Sequence, residues 1–146
     1  MDESLDFNLL TNRGWHRSVI GDEDVILCHR SALEHLQLFV GYLHRLEVEV
    51  YALKKGENKN IDYRLVDSFE DIDFIEIGGL RCTTPSQTFN DMMDDFDNAD
   101  GQAFIEGLAD YYFQNGDSFD GLIIKPENME LFDSRKEWAA EFYDEG

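Results

Sequence analysis

The spacing of apolar positions changes several times along the chain, and each change marks an element. Residues 1–23 have no sustained period and read as an irregular segment, tacked down by Trp15 and Val19. Val25-Ile26-Leu27-Cys28 is an unbroken apolar run of the kind a buried strand shows. It feeds into Ser31-Ala32-Leu33-Glu34, where Ser31 and Glu34 have capping-box spacing. Leu33, Leu36, Val40 and Leu43 follow at helical intervals, which predicts a helix running to about His44. Leu46, Val48 and Val50 then alternate with Glu47, Glu49 and Tyr51, the period of two of a half-buried strand. After a polar turn over 54–60, Ile61 to Val66 and Phe74 to Ile77 read as further strands, with Gly78-Gly79 turning the chain into Leu80-Arg81-Cys82.

The second half turns helical. Thr84-Pro85-Ser86-Gln87 places Thr84 as N-cap, Pro85 at the first helical position and Gln87 reaching back, and the helix it opens is expected to bury Phe89, Met92 or Met93, and Phe96. Asp100-Gly101 resets the chain for a helix carrying Phe104, Leu108, Tyr111 and Tyr112, closed by Asn115-Gly116-Asp117. Gly121 to Ile124 is a candidate edge strand, and Pro126 starts a helical turn with Met129 and Phe132. Ser134 and Glu137 have capping-box spacing for a last helix with Trp138 and Phe142 on its inner face. The whole reads as one α+β domain over 1–146, a small mixed sheet with three to five helices packed on it.

Charge changes this picture most. The 146 residues hold 32 acids and 12 bases, a formal net charge of -20. Residues 1–73 have 15 acids and 8 bases, net -7, against 17 and 4, net -13, for 74–146. Such a field repels phosphate backbones and anionic lipid and attracts basic surfaces. Direct nucleic-acid binding and membrane binding are therefore not expected, and the expected partner is a protein with a basic surface. At 42% hydrophobic and 13% aromatic the chain is too apolar for disorder. Met1 to Asp6 is acidic and has no apolar stretch of the secretory type. Cys28 and Cys82, each inside an apolar stretch, allow a single disulfide but read more simply as buried free thiols in a cytoplasmic protein.

The strongest candidate site is the acidic run Asp91, Asp94, Asp95, Asp97 and Asp100. On a helix the first three fall at i, i+3 and i+4, a row of carboxylates facing outward for a partner's basic groove. Calcium loops are not expected, because the EF-hand pattern would need an acid where Phe96 or Gly116 stands. His29, His35 and His44 with Cys28 and Cys82 lack zinc-ligand spacing, and no nucleophile elbow or glycine-rich phosphate loop is present, so no metal, cofactor or catalytic residue is assigned.

The strand-helix join Val25-Ile26-Leu27-Cys28-His29-Arg30-Ser31-Ala32-Leu33-Glu34, the strand at Glu47 to Tyr51, and Ile75 to Thr84 followed by Pro85-Ser86-Gln87-Thr88-Phe89-Asn90-Asp91 together resemble the C-terminal domain of the AbiEi family of type IV antitoxins over roughly residues 24–112. Gly101 to Tyr112, with Glu106-Gly107-Leu108, takes the place of that domain's last helix. The family's full-length members begin with a basic winged-helix domain that binds promoter DNA. The residues before Val25 are too few for one, and Ser86-Gln87 replace the usual acidic-basic pair, so DNA binding and autoregulation are not carried over.

The resemblance implies a non-catalytic regulator that binds and restrains a toxin or a nucleic-acid- or nucleotide-handling enzyme. The same charge fits a phage-encoded DNA mimic such as an anti-CRISPR protein. An enzyme would require a cleft with perturbed carboxylates.

Overall fold

A computed structural model describes residues 11–42, 44 and 46–142. Part of the segment expected to be irregular is a helix: α1 spans Asn12–Ile20, capped by Thr11, whose hydroxyl accepts from the Gly14 amide at 2.9 Å. Its buried positions are His16, Val19 and Ile20. A histidine in the middle of that face hides the apolar stripe from a pattern search. The expectation for residues 1–10 lies outside the described residues.

Strand β1 (Val25–Leu27) runs directly into α2 (His29–His35). The capping box at Ser31 and Glu34 does not form. Cys28 is the N-cap, the Ser31 hydroxyl accepts from the Glu49 amide at 2.8 Å, and Glu34 pairs with Arg30 at 3.0 Å. Nor does the helix reach His44. Gln37 adopts a left-handed φ of 63° and Gly41 one of 91°, the chain turns, and Leu38 and Phe39 enter the core while Val40 is 79% exposed. Leu43, the last residue of the expected stripe, lies outside the described residues.

The strands β2 (Val48–Ala52), β3 (Ile61–Leu65), β4 (Phe74–Ile77) and β5 (Leu80–Thr83) follow as the alternation predicts. They form a mixed five-stranded sheet of order β3-β2-β1-β5-β4. β1 is antiparallel to β2 with Leu27 opposite Val50, and parallel to β5 with Leu27 opposite Cys82. Gly78 and Gly79, both at positive φ, make the tight turn of the β4–β5 hairpin.

Thr84 opens α3 (Pro85–Asp94), accepting from the Gln87 amide at 3.2 Å. Gln87 does not reach back to its own cap; its carbonyl accepts from the Asp73 amide instead. A 3-10 turn over Phe96–Asn98 leads to α4 (Gly101–Gln114), and a second over Pro126–Asn128 leads to α5 (Met129–Glu141). Gly121 to Ile124 is not a strand. Side chains pin it: the Ile123 amide donates to Ser86 Oγ, the Lys125 amide to Asn90 Oδ1, and Ile123 is 76% exposed. Ser134 starts no helix, since it lies inside α5 with its hydroxyl on the Leu131 carbonyl.

Two apolar cores result, and half-buried Leu36 touches both. On one face of the sheet, Val19 and Ile20 of α1 pack on Val25, Leu27, Val48, Val50, Ile61 and Cys82. The other core lies among the helices, around Leu33, Phe39, Phe89, Met92, Phe104, Leu108 and Phe132. Gly107 lets α4 approach α2 closely, because a Cβ there would sit 3.0 Å from Leu33 Cδ1. Both cysteines are free and buried; burial pushes Cys82 up to about 12 and Cys28 well above its ordinary value, so both remain thiols.

A buried polar chain fixes α1 to α2 and the sheet. His35 Nε2 donates to the Ile77 carbonyl at 2.7 Å, so its Nδ1 accepts from His16 Nδ1 at 3.0 Å. His16 Nε2 lies 3.2 Å from Glu34 Oε1, and Glu34 is also held by Arg30. Burial lowers His35 to about 4, in keeping with a neutral ring. Among the described residues no helix is long and apolar enough to cross a membrane.

Candidate partner-binding surface

The five aspartates expected to form one outward row are divided by the end of α3. The helix stops at Asp94, and Asp95 leaves helical geometry with φ -139°. Aspartate competes with the helix by bonding its own neighbourhood, and Asp91, Asp95 and Asp100 each have such a local partner, while Asp94 is held from farther along the chain. Asp91 turns toward the sheet and accepts from Gln87 Nε2 at 2.8 Å. Asp94 accepts from Lys125 Nζ at 2.6 Å and from Asn128 Nδ2 at 2.9 Å. Asp95 accepts from Asn98 Nδ2 at 2.9 Å. Asp100 caps α4 by accepting from the Ala103 amide at 3.0 Å, and it also receives the Tyr42 hydroxyl. The expected row does not form: Asp97 and Asp95 are exposed, Asp95 with its local bond from Asn98, Asp94 is exposed but tied to Lys125, and Asp91 and Asp100 serve the fold.

The electrostatics follow these positions. Partial burial works against the Asp94 carboxylate, but Lys125 and Asn128 outweigh it and hold its pKa below the ordinary value. For Asp91 burial wins over the neighbouring Tyr51 and Gln87, and its pKa is raised. Burial likewise raises Tyr51 and lowers His29 to about 4, with Arg64 adding to the latter shift.

Asp91 thus belongs to a polar cluster between α3 and the sheet. His29 sits at the β1–α2 junction with a left-handed φ of 54°, its ring edge-on to Tyr51 at 5.8 Å between centroids. Arg64 and Arg30 both pair with Glu49, at 2.9 and 3.6 Å. Three buried side-chain atoms of the described residues make no well-formed hydrogen bond, and all fall here: His29 Nδ1, Arg64 Nε and Asp91 Oδ2. All three atoms are closed off from solvent. Among the described residues no three His, Cys, Asp or Glu side chains converge to hold a metal.

The surface that pattern reading missed lies on α4 and α5. These helices run antiparallel, the start of α4 beside the end of α5, and between them Phe96, Gly101, Gln102, Ile105, Glu106, Arg135, Trp138 and Phe142 line a groove of about 440 Å³. Trp138 and Phe142 were expected on the inner face of the last helix. The structure corrects this: Phe132 and Ala139, seven residues apart, set the phase of α5, leaving Trp138 61% and Phe142 37% exposed. Arg135 stacks on the Phe96 ring at 5.4 Å. Glu106 lines the α4 wall, and three exposed carboxylates adjoin lining residues along the chain: Asp97 next to Phe96, Glu137 next to Trp138 and Glu141 next to Phe142. The available signal was Ala139-Ala140, small residues that allow close helix contact where a tryptophan would hold the helices apart.

Compared with protein families, with curated proteins and with solved structures, the chain finds no match.

Proposed function

We propose that this α+β protein is a non-catalytic acidic regulator that binds and restrains a partner with a basic, nucleic-acid- or nucleotide-handling surface, in the manner of the AbiEi antitoxins it resembles. The observation that carries this reading is the disposition of charge in the second half. Its four cations are committed: Arg81 to Asp24, Lys125 to Asp94, Lys136 to Asp133, and Arg135 to the Phe96 ring. The exposed carboxylates Asp97, Glu130, Glu137 and Glu141 add negative charge around α5 and the turn before α4, where Trp138 and Phe142 are exposed. Charge of this kind steers encounter, and apolar anchors hold the complex.

Mimicry of a phosphate backbone has less support, because four of the five aspartates of the candidate row are engaged within the fold. The buried thiols suit a reducing cytoplasm. The test is the association rate with the basic protein that copurifies from the native host, measured between low and high ionic strength. A fall of tenfold or more with salt is expected; a rate indifferent to salt contradicts the electrostatic steering.

A further inference from the structure

We propose that the α4–α5 groove receives the apolar face of a lysine- or arginine-rich amphipathic helix of the partner. This deepens the reading above and rests on it. The groove lies between two antiparallel helices, away from both sheet edges, β3 and β4, so an entering segment finds no open strand to pair with. Its walls offer side chains, which favours the helix-in-groove mode, where residues at i, i+3, i+4 and i+7 anchor and backbone bonding is internal. Trp138 and Phe142 on one wall and Phe96 and Ile105 on the other supply the aromatic and aliphatic contacts that dominate such interfaces.

Charge decides the occupant. Glu106 stands in the α4 wall, Asp97 follows Phe96 in the turn before α4, and Glu137 and Glu141 neighbour Trp138 and Phe142 in the sequence of α5, against the one lining cation Arg135, which is stacked on Phe96; this excess of acids on both sides matches a helix with cations on both flanks of its apolar stripe. A second copy of this chain would bring a body of net charge -20 against the same rim. Residues 1–10 of the chain carry three acids and no base, and would meet that rim with like charge.

The test uses the full chain with Trp15→Phe, so that Trp138 is the sole tryptophan. It is titrated with a synthetic 14-residue helix carrying leucine on one face and lysine on the other, and with the same helix carrying glutamate in place of lysine. The lysine helix is expected to shift Trp138 emission to the blue and to bind at least about tenfold tighter than the glutamate helix. Phe142→Glu should weaken it about tenfold with the circular dichroism spectrum unchanged, and Glu106→Lys with Glu141→Lys should reverse the preference. If the labelled lysine helix binds by anisotropy yet leaves Trp138 and the Phe142→Glu variant unaffected, the groove inference is overturned while electrostatic attraction stands. Absence of binding overturns the groove inference, and the salt dependence with the native partner then judges the wider reading separately. Emission that shifts with protein concentration alone, or on deletion of residues 1–10, gives the groove another occupant and overturns the proposal.

Discussion

The sheet side and the α4–α5 corner use ionisable groups in opposite ways. On the sheet side, Arg30 and Arg64 bracket Glu34 and Glu49, and His16 and His35 complete a chain that ties α1, α2, β2 and β3 together. Each charge there is answered by a neighbour in the fold. At the corner, acids outnumber cations, the cations are already engaged, and Asp97, Glu137 and Glu141 are exposed near a groove lined by Phe96, Trp138 and Phe142. Polar groups hold the first region together through buried contacts; in the second they make only exposed local contacts, such as Gln102 with Glu106 and Lys136 with Asp133, and stay open to something outside the chain. The lesson is that net charge identifies a function only after the internally matched acids have been subtracted.

The largest effect that would break this contrast is at Arg30, whose side chain is 8% exposed. Arg30→Met strands two carboxylates and is expected to cost roughly 3–5 kcal/mol in urea unfolding. A loss near zero would mean the sheet-side network is as dispensable as the surface acids.

Next comes acid. His29 and His35 both fall from 6.5 to about 4 in the fold, so between those values the unfolded chain binds more protons than the folded one. Stability is full above pH 6.5 and drops on acidification, by about 1.4 kcal/mol per pH unit for each group. His29→Asn, a residue that tolerates left-handed φ, should remove about half of that slope in denaturant midpoints measured from pH 7 to 5.

A smaller effect of opposite sign is expected at Asp91. Its raised pKa means that the ionised carboxylate is a burden at neutral pH, whereas an amide keeps the bond from Gln87. Asp91→Asn should raise the thermal midpoint at pH 7, by up to about 1 kcal/mol of stability, and the gain should vanish below about pH 4. Smallest of all, Asp97→Asn and Glu106→Gln should each leave stability within about 0.5 kcal/mol while slowing association with a basic partner.

Local chemistry made much of the fold legible. The alternation at Val48 and Val50, the Gly78-Gly79 turn, and the Thr84-Pro85 helix start are decided within a few residues and appear as read, whereas Leu46, read as the first inward residue of that strand, lies before it and is 46% exposed. α1 was hidden because His16 replaces an apolar residue and is satisfied only by His35, nineteen positions away. The stripe from Leu33 to Val40 looked helical, but burying Leu38 and Phe39 together wins over continuing the helix. The aspartates were visible as a cluster while their fates were not. Lys125, Asn128 and Tyr42, which engage Asp94 and Asp100, come from 31 to 58 residues away. Trp138 was misplaced for a related reason: its side of α5 is set by which residue fits against α4, and alanine fits there.

Where a basic ligand touches separates the two regions most directly. Amide chemical-shift mapping of the full chain, titrated with the lysine-rich helix or the native partner, should place the perturbed residues within 96–106 and 135–142 and see them fade as salt is raised. Perturbations centred on the β3 edge or on α1, or a footprint on α4 and α5 that salt leaves unchanged, would contradict it.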